Sequence, residues 1–189
     1  MGYLGESLLT ALELIINLDR EVRTTAWVSL YTSSCAIVIA ALLGVPTGLW
    51  LGLNRFRGRQ ILLALLNTLM ALPTVVVGLL LFGLLSRQGP LGPLGLLFTP
   101  LAMIAGQTVL ATPIVANLVL AAVTGADQRI INTALTLGAS RFQAAIQLLR
   151  EIRFGVMAAV IAGFGRVIAE VGVAMMLGGN IRNSTRTMT

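Results

Sequence analysis

Four apolar runs, 26–53, 61–85, 96–123 and 156–176, constrain this chain more than any motif in it. A bilayer core needs about 20 apolar residues per helix, and each run reaches that length. The mean hydropathy is +0.92, and charged residues make up 11% of the chain. Soluble domains carry about a quarter, so a soluble globular core is excluded. The predicted fold class is all-α, a polytopic membrane helical bundle in which 1–189 forms a single transmembrane domain. No internal repeat or low-complexity tract divides it.

The charges mark where the runs stop. All thirteen basic residues are arginine, and the formal net charge is +6. They are scattered between apolar spans rather than gathered on an aromatic-interleaved basic face, which argues for membrane topology and against a nucleic-acid partner. Arg55, Arg57 and Arg59 crowd the 54–60 connection, the strongest topology signal in the chain, and the positive-inside rule places that loop in the cytoplasm. Alternation then puts 125–154 inside, with the N-terminus, the turn around Arg87 and the C-terminal tail outside. Residues 1–20 carry Glu6 and Glu13 ahead of any arginine, unlike a secretory signal. Leu8, Leu9, Leu12, Ile15 and Ile16 recur there at helical spacing, which predicts an amphipathic helix along the membrane or a neighbouring span.

Pro46, Pro73, Pro100 and Pro113 fall in or at the edges of the spans. Each mid-helix proline frees a carbonyl and favours a bend, tolerated in membranes where neighbours or water re-satisfy it. Gly163 and Gly165, beside Ala158, Ala159 and Ala162, allow close helix approach in a packed bundle or dimer. Cys35 lies in an apolar stretch and reads as packing.

Segment 127–153 is too polar to cross. Ile130, Ile131, Ala134 and Leu135 form one helical stripe, and Phe142, Ala145, Ile146 and Leu149 a second. Two short amphipathic helices are predicted to meet at Gly138, with Ser140 and Gln143 forming a capping box. The turn would present Arg141 as a knob for a soluble partner.

Enzymatic chemistry is tested by inventory. A P-loop requires lysine, and the chain has none, so the chain holds no P-loop ATPase site. Without histidine and with one cysteine, the usual zinc sites and Ser-His or Cys-His pairs are absent too, so no metal, cofactor or catalytic residue is expected. A carboxylate hydrolase would need a second acid beside Glu170, and the spans hold none.

The stretch NTALTLGASRFQAAIQLLRE, 132–151, resembles the cytoplasmic coupling motif of bacterial ABC importer permeases, in which Gly stands four residues after the second Ala of a leading Glu-Ala-Ala. Ala134 and Gly138 match it, Asn132 and Thr133 replace the leading Glu-Ala, and Glu151 stands where many members have proline. The longer run 137–181, the tail TRTMT and the segment NTLMALPTVVVGLLLF, 67–82, closely resemble the permeases of tungstate ABC importers, with molybdate and sulfate permeases as more distant relatives. The resemblance implies a multi-pass bacterial or archaeal inner-membrane protein that homodimerises, binds two cytoplasmic ATP-binding subunits and receives an oxyanion from an extracytoplasmic binding protein. It also implies five spans per subunit, so a fifth helix is expected beyond Thr189. Under it, Ala134, Leu137, Gly138, Ala139, Ser140 and Arg141 are the expected coupling residues.

The other candidate site lies within the spans. Arg166 and Glu170 are four apart, on one helical face, with Arg166 about 17 Å along the helix from Gly155 and thus near mid-membrane. Either charge alone would cost about 3 kcal/mol to insert. They form either a structural ion pair that makes the span insertable or a path or dimer-seam pair that exchanges partners between states. Asn67 and Thr68 ahead of Pro73, Thr74 after it, and Gln107 and Thr108 ahead of Pro113 are weaker path candidates. They would donate to an oxyanion or satisfy proline-freed carbonyls. Three functions remain open: an alternating-access tungstate permease, a permease of the same superfamily for molybdate, sulfate or another solute, and a non-transporting membrane scaffold.

Overall fold

A computed structural model describes residues 20–182 and 184–188; the expected amphipathic helix over 1–20 lies outside them apart from its last residue. Eight α-helices run through the described residues: α1 (Arg20–Leu53), α2 (Arg59–Ala71), α3 (Thr74–Leu85), α4 (Pro100–Gly125), α5 (Gln128–Thr136), α6 (Arg141–Glu151), α7 (Arg153–Ile168) and α8 (Gly172–Gly178). Only α1 and α4 are individually long and apolar enough to span a membrane. The 61–85 run, expected as one helix, is instead α2 and α3, bent by 97°, and the 156–176 run is α7 and α8, bent by 59°. Counting each bent pair as one span gives up to four.

The first bend has a local cause. Pro73 has no N–H to continue the α2 ladder and pushes the residue before it out of the helical region. Leu72 accordingly sits at φ −62°, ψ 133°, and Pro73 itself at φ −58°, ψ 130°. Two extended residues in succession turn the chain. Pro46 and Pro113, by contrast, sit inside continuous helices, and Pro100 opens α4 at its first position, where a missing N–H costs nothing.

α1 and α4 run parallel along a seam of small residues. A Cβ on Gly44 would lie 3.0 Å from the Thr112 carbonyl, one on Gly48 2.5 Å from the Ala116 carbonyl, and one on Gly52 2.4 Å from Val123 Cγ1. The backbones are therefore in direct contact, which glycine at every fourth position allows. α7 packs antiparallel onto this pair, with Gly163 against Ile37 and Val115 and Gly155 against Ala122. Ala36, Ala40, Val115, Val119, Ala159 and Val167 form the core between the three. Gly165 faces open space, so of the two glycines expected to mediate close contact only Gly163 does so within one subunit.

A second cluster, Val77, Leu85, Ala102, Val173 and Leu177, holds α3 and α8 against the start of α4. At that end the tail folds back. Arg182 and Arg186 both pair with Glu21 in the first turn of α1, Thr185 Oγ1 donates to the Gly178 carbonyl, and the Met188 N–H donates to Ser29 Oγ at 2.8 Å. The hydrogen bond from Arg182, with the charges of both arginines behind it, holds the Glu21 carboxyl below its ordinary pKa. Large apolar side chains such as Trp27, Leu42, Leu43, Leu79 and Leu80 are exposed outside the seams, as befits a surface facing lipid.

Candidate functional site

Two arrangements bring chemistry-bearing residues together, one at the end of the bundle and one at its breaks.

The first is the hairpin of α5 and α6, which joins the end of α4 to the start of α7 and lies at the same end as the 54–58 loop. α5 starts at Asp127, whose side chain accepts from the Arg129 N–H at 2.9 Å. It ends in a Schellman turn: the Gly138 N–H bonds the Leu135 carbonyl and the Ala139 N–H the Ala134 carbonyl, both at 3.0 Å. Gly138 takes φ +90° with open space around it. The four-residue step from Ala134 to Gly138 is thus the step from the carbonyl that accepts to the residue that must be left-handed. α6 then opens on the expected capping box, Ser140 Oγ accepting the Gln143 N–H at 3.3 Å and Gln143 Oε1 the Ser140 N–H at 2.8 Å.

With both helix ends satisfied internally, the turn stands in the open. Leu137 is 82% exposed and Phe142 74%. Gly138, Ser140 and Arg141 are also exposed, with Ala134 and Ala139 half-buried. The two helices enclose a groove of about 950 Å³ whose lining includes Arg129, Thr133, Ala134, Leu137, Gln147 and Arg150. The α6 stripe read from sequence turns outward: Phe142 and Ile146 are exposed, and the residues that bury are Ala144 and Leu148. Leu148 and Ile152 join the core of the bundle, so a push on the hairpin reaches the packed helices.

The second arrangement is where the two broken pairs meet. Arg166 Nη1 lies 3.2 Å from Glu170 Oε2. The expected pair therefore forms, but it reaches from Arg166 in the last turn of α7 to Glu170 in the break beyond it, rather than along a continuous span. Its two halves differ: the Glu170 side chain is 3% exposed and that of Arg166 51%. Glu170 Oε1 accepts the Val173 N–H at 3.2 Å, so this carboxylate caps the first turn of α8, as an anion at a helix N-terminus should. A Cβ on Gly172 would stand 3.2 Å from Thr74 Oγ1 and 3.3 Å from Glu170 Oε1. Thr74 opens α3 just after Pro73, so the break in one pair sits against the break in the other.

The remaining expected path residues are not gathered there. Thr108 donates to the carbonyls of Ile104 at 2.7 Å and Ala36 at 3.4 Å, tying α4 to α1. Thr68 donates to the Ala64 carbonyl. Neither reaches a carbonyl freed by a proline. Asn67 Oδ1 accepts from Asn117 Nδ2 at 2.6 Å, a contact from α2 to α4. Gln107 is buried, and its Oε1 has no hydrogen-bond partner among the described residues. Asn117, Gly172 and the Val173 N–H are the functional neighbours that sequence reasoning missed. The Gly172 position two residues past Glu170 was the available signal.

Around the pair, Ala158, Ala162 and Gly165 of α7, with Ala169 just past its end, form an exposed stripe that leads to Arg166. This side of α7 is therefore open among the described residues.

Comparison with known proteins gives the same class. Residues 44–188 match the family described as "Binding-protein-dependent transport system inner membrane component". The chain is 38% identical, over all 189 of its residues and 83% of the relative, to a tungstate uptake system permease protein of Peptoclostridium acidaminophilum. It is 42% identical over 179 residues, 92% of this chain and 77% of the relative, to a Haloferax volcanii protein named "Probable anion ABC transporter permease protein". A molybdenum transport system permease protein of Azotobacter vinelandii is 29% identical over 171 residues, 85% of this chain and 74% of that protein.

Proposed function

Because the chain belongs to the family of binding-protein-dependent transport system inner membrane components, we propose that it is the solute-conducting subunit of an ATP-driven oxyanion importer, with tungstate as its cargo. The exposed, doubly capped α5–α6 hairpin is the observation that carries the mechanism. Its turn is internally hydrogen-bonded and exposed, and through Leu148 and Ile152 the hairpin is continuous with the core. The full-length likeness to a tungstate uptake permease supports the cargo.

The 54–58 loop and the hairpin face the cytoplasm. Two ATP-binding subunits seat on Ala134, Leu137, Gly138, Ala139, Ser140 and Arg141, one on each copy of a homodimer. The copies meet across the open side of the bundle, where α7 shows its small residues, and the path runs between them. Nucleotide-driven closure displaces the hairpins, and the displacement is taken up at the jointed pairs. Coupling of this kind requires the hairpin to be held differently in the two states, since equal contacts shift no equilibrium. Arg166 is held by Glu170 in one state and released to a divalent oxyanion in the other. A pairing that exchanges suits passage, because a permanently bare guanidinium would retain the anion. Thr74 lies beside the same joint.

The test is ATP-dependent tungstate uptake into proteoliposomes holding this permease, its ATP-binding subunit and its binding protein, with molybdate and sulfate as competitors. Tungstate-selective uptake is expected. Selective uptake of molybdate, in keeping with the molybdenum transport named for the Azotobacter relative, would keep the mechanism and replace the cargo. Absence of any uptake in a verified complex would leave the membrane scaffold reading. Arg141→Glu should lower uptake by more than tenfold while the permease itself stays folded. Full ATP-stimulated uptake by that variant would remove the docking assignment.

A further inference from the structure

The 54–60 connection carries more than a topology signal. α1 ends at Leu53, and the loop packs the Phe56 ring against Trp50, with centroids 4.8 Å apart. Trp50 remains 51% exposed. An exposed indole at the end of a span marks the headgroup level of a bilayer. The Asn54 side chain donates to the Trp50 carbonyl at 2.9 Å, and Arg59 Nε reaches back to the Leu51 carbonyl at 2.8 Å. These bonds fold the loop over the end of α1, with Gly58 at φ +95° making the turn into α2. Within it, Arg55, Phe56, Arg57, Gly58, Arg59 and Gln60 line a shallow hollow of about 370 Å³.

The electrostatics of this hollow are one-sided. Arg55 and Arg57 are exposed, and no arginine of the loop forms an ion pair among the described residues. The cations elsewhere at the outer end, Arg182 and Arg186, are by contrast matched to Glu21. Guanidinium groups offer planar, bidentate donors that suit phosphate oxygens. A cluster of them beside an interfacial aromatic pair and a lipid-facing apolar helix meets one phosphate source before any other.

We propose that the 54–60 loop is a binding site for the headgroup of an anionic phospholipid, with Arg55 and Arg57 on the phosphodiester, Arg59 fixing the loop, and Trp50 with Phe56 packing on the glycerol and upper acyl region. The site depends only on the membrane placement of α1, not on the cargo or on the mechanism of transport.

Native mass spectrometry of the full chain in mild detergent tests this, with phosphatidylglycerol as the probe and phosphatidylcholine and inorganic phosphate as comparisons. Phosphatidylglycerol should remain bound where phosphatidylcholine is lost. Each arginine beside an anionic lipid surface contributes about fivefold in affinity, so R55Q/R57Q should weaken phosphatidylglycerol binding roughly twenty- to thirtyfold. R129Q/R150Q removes the same charge from the hairpin and should change binding less than about twofold by the same reasoning. A thermal melt of each variant in lipid-free detergent verifies folding. Unchanged binding by R55Q/R57Q, or equal loss in both double variants, overturns the proposal. Displacement of the lipid by millimolar inorganic phosphate assigns the hollow to a free anion and overturns it as well. In the same measurement on the complex with its ATP-binding subunit, loss of that subunit from R55Q/R57Q with lipid retained assigns the loop to protein docking and overturns it too.

Discussion

Pro113 and Pro73 have the same chemistry and opposite consequences. Pro113 sits at mid-length in α4, buried, and α4 continues through it without a break; Pro73 ends α2 and turns the chain by 97°. Pro46 behaves like Pro113. The two tolerated prolines lie in the helices clamped by the Gly44, Gly48 and Gly52 seam, where backbone contact along the interface holds the axes in place. Pro73 follows a helix none of whose residues is buried, so nothing there opposes the bend it imposes. A proline in this molecule breaks a helix only where packing leaves the axis free. The chain is thereby divided into a stiff pair, α1 with α4, and two jointed pairs whose breaks meet at Thr74, Glu170 and Gly172.

The hardest blow to that division is Gly48→Leu. It drives a side chain into the Ala116 carbonyl and Val119, and overpacking against backbone that cannot yield should cost about 3 kcal/mol or more. Thermal unfolding in detergent should show most of the protein lost, and a normal melt would mean that the seam is not the frame. Glu170→Gln comes next. The amide oxygen still accepts the Val173 N–H but no longer offsets Arg166. Because that arginine is half-exposed, the stability cost should be about 1–2 kcal/mol, with uptake falling by a larger factor than stability predicts. Parallel loss of uptake and stability would make the pair merely structural. Pro73→Ala restores an N–H and relaxes the residue before it, and should alter stability by less than about 1 kcal/mol while slowing uptake several-fold. Wild-type uptake would place the moving joint elsewhere. Smallest is Gly83→Ala, where a Cβ meets nothing within 4 Å. Helix propensity predicts a gain of up to about 1 kcal/mol, and a loss comparable to that of Gly48→Leu would erase the distinction between seam and surface.

The class and the hairpin were legible in sequence because each rests on local physics. Apolar length marks spans, and the Ala134 to Gly138 spacing with Ser140 and Gln143 encodes a helix end and a helix start. The breaks were only half legible. Pro73 announced a bend, but hydropathy reads 61–85 and 156–176 as continuous, because it averages over the two or three residues where a helix stops. The break at Ala169 has no proline at all and is held by Glu170 capping α8, a contact that appears only in three dimensions. The glycine seam was written at 44, 48 and 52, yet which helix it faced depended on a partner some seventy residues away. The outward turn of Phe142 and Ile146 was not legible for a related reason: amphipathicity names a stripe but not what covers it.

The seam also sets a schedule for assembly. Gly48 must find Ala116, which is synthesised about seventy residues later, and at 5–20 residues per second that is a delay of roughly 3 to 14 seconds. During that interval the glycine face of α1 has to be covered by something other than α4, and in a bilayer acyl chains are the partner at hand. Because that face is apolar and its backbone groups are bonded within the helix, the wait carries little penalty, and the bundle closes when the third apolar run arrives to displace the lipid.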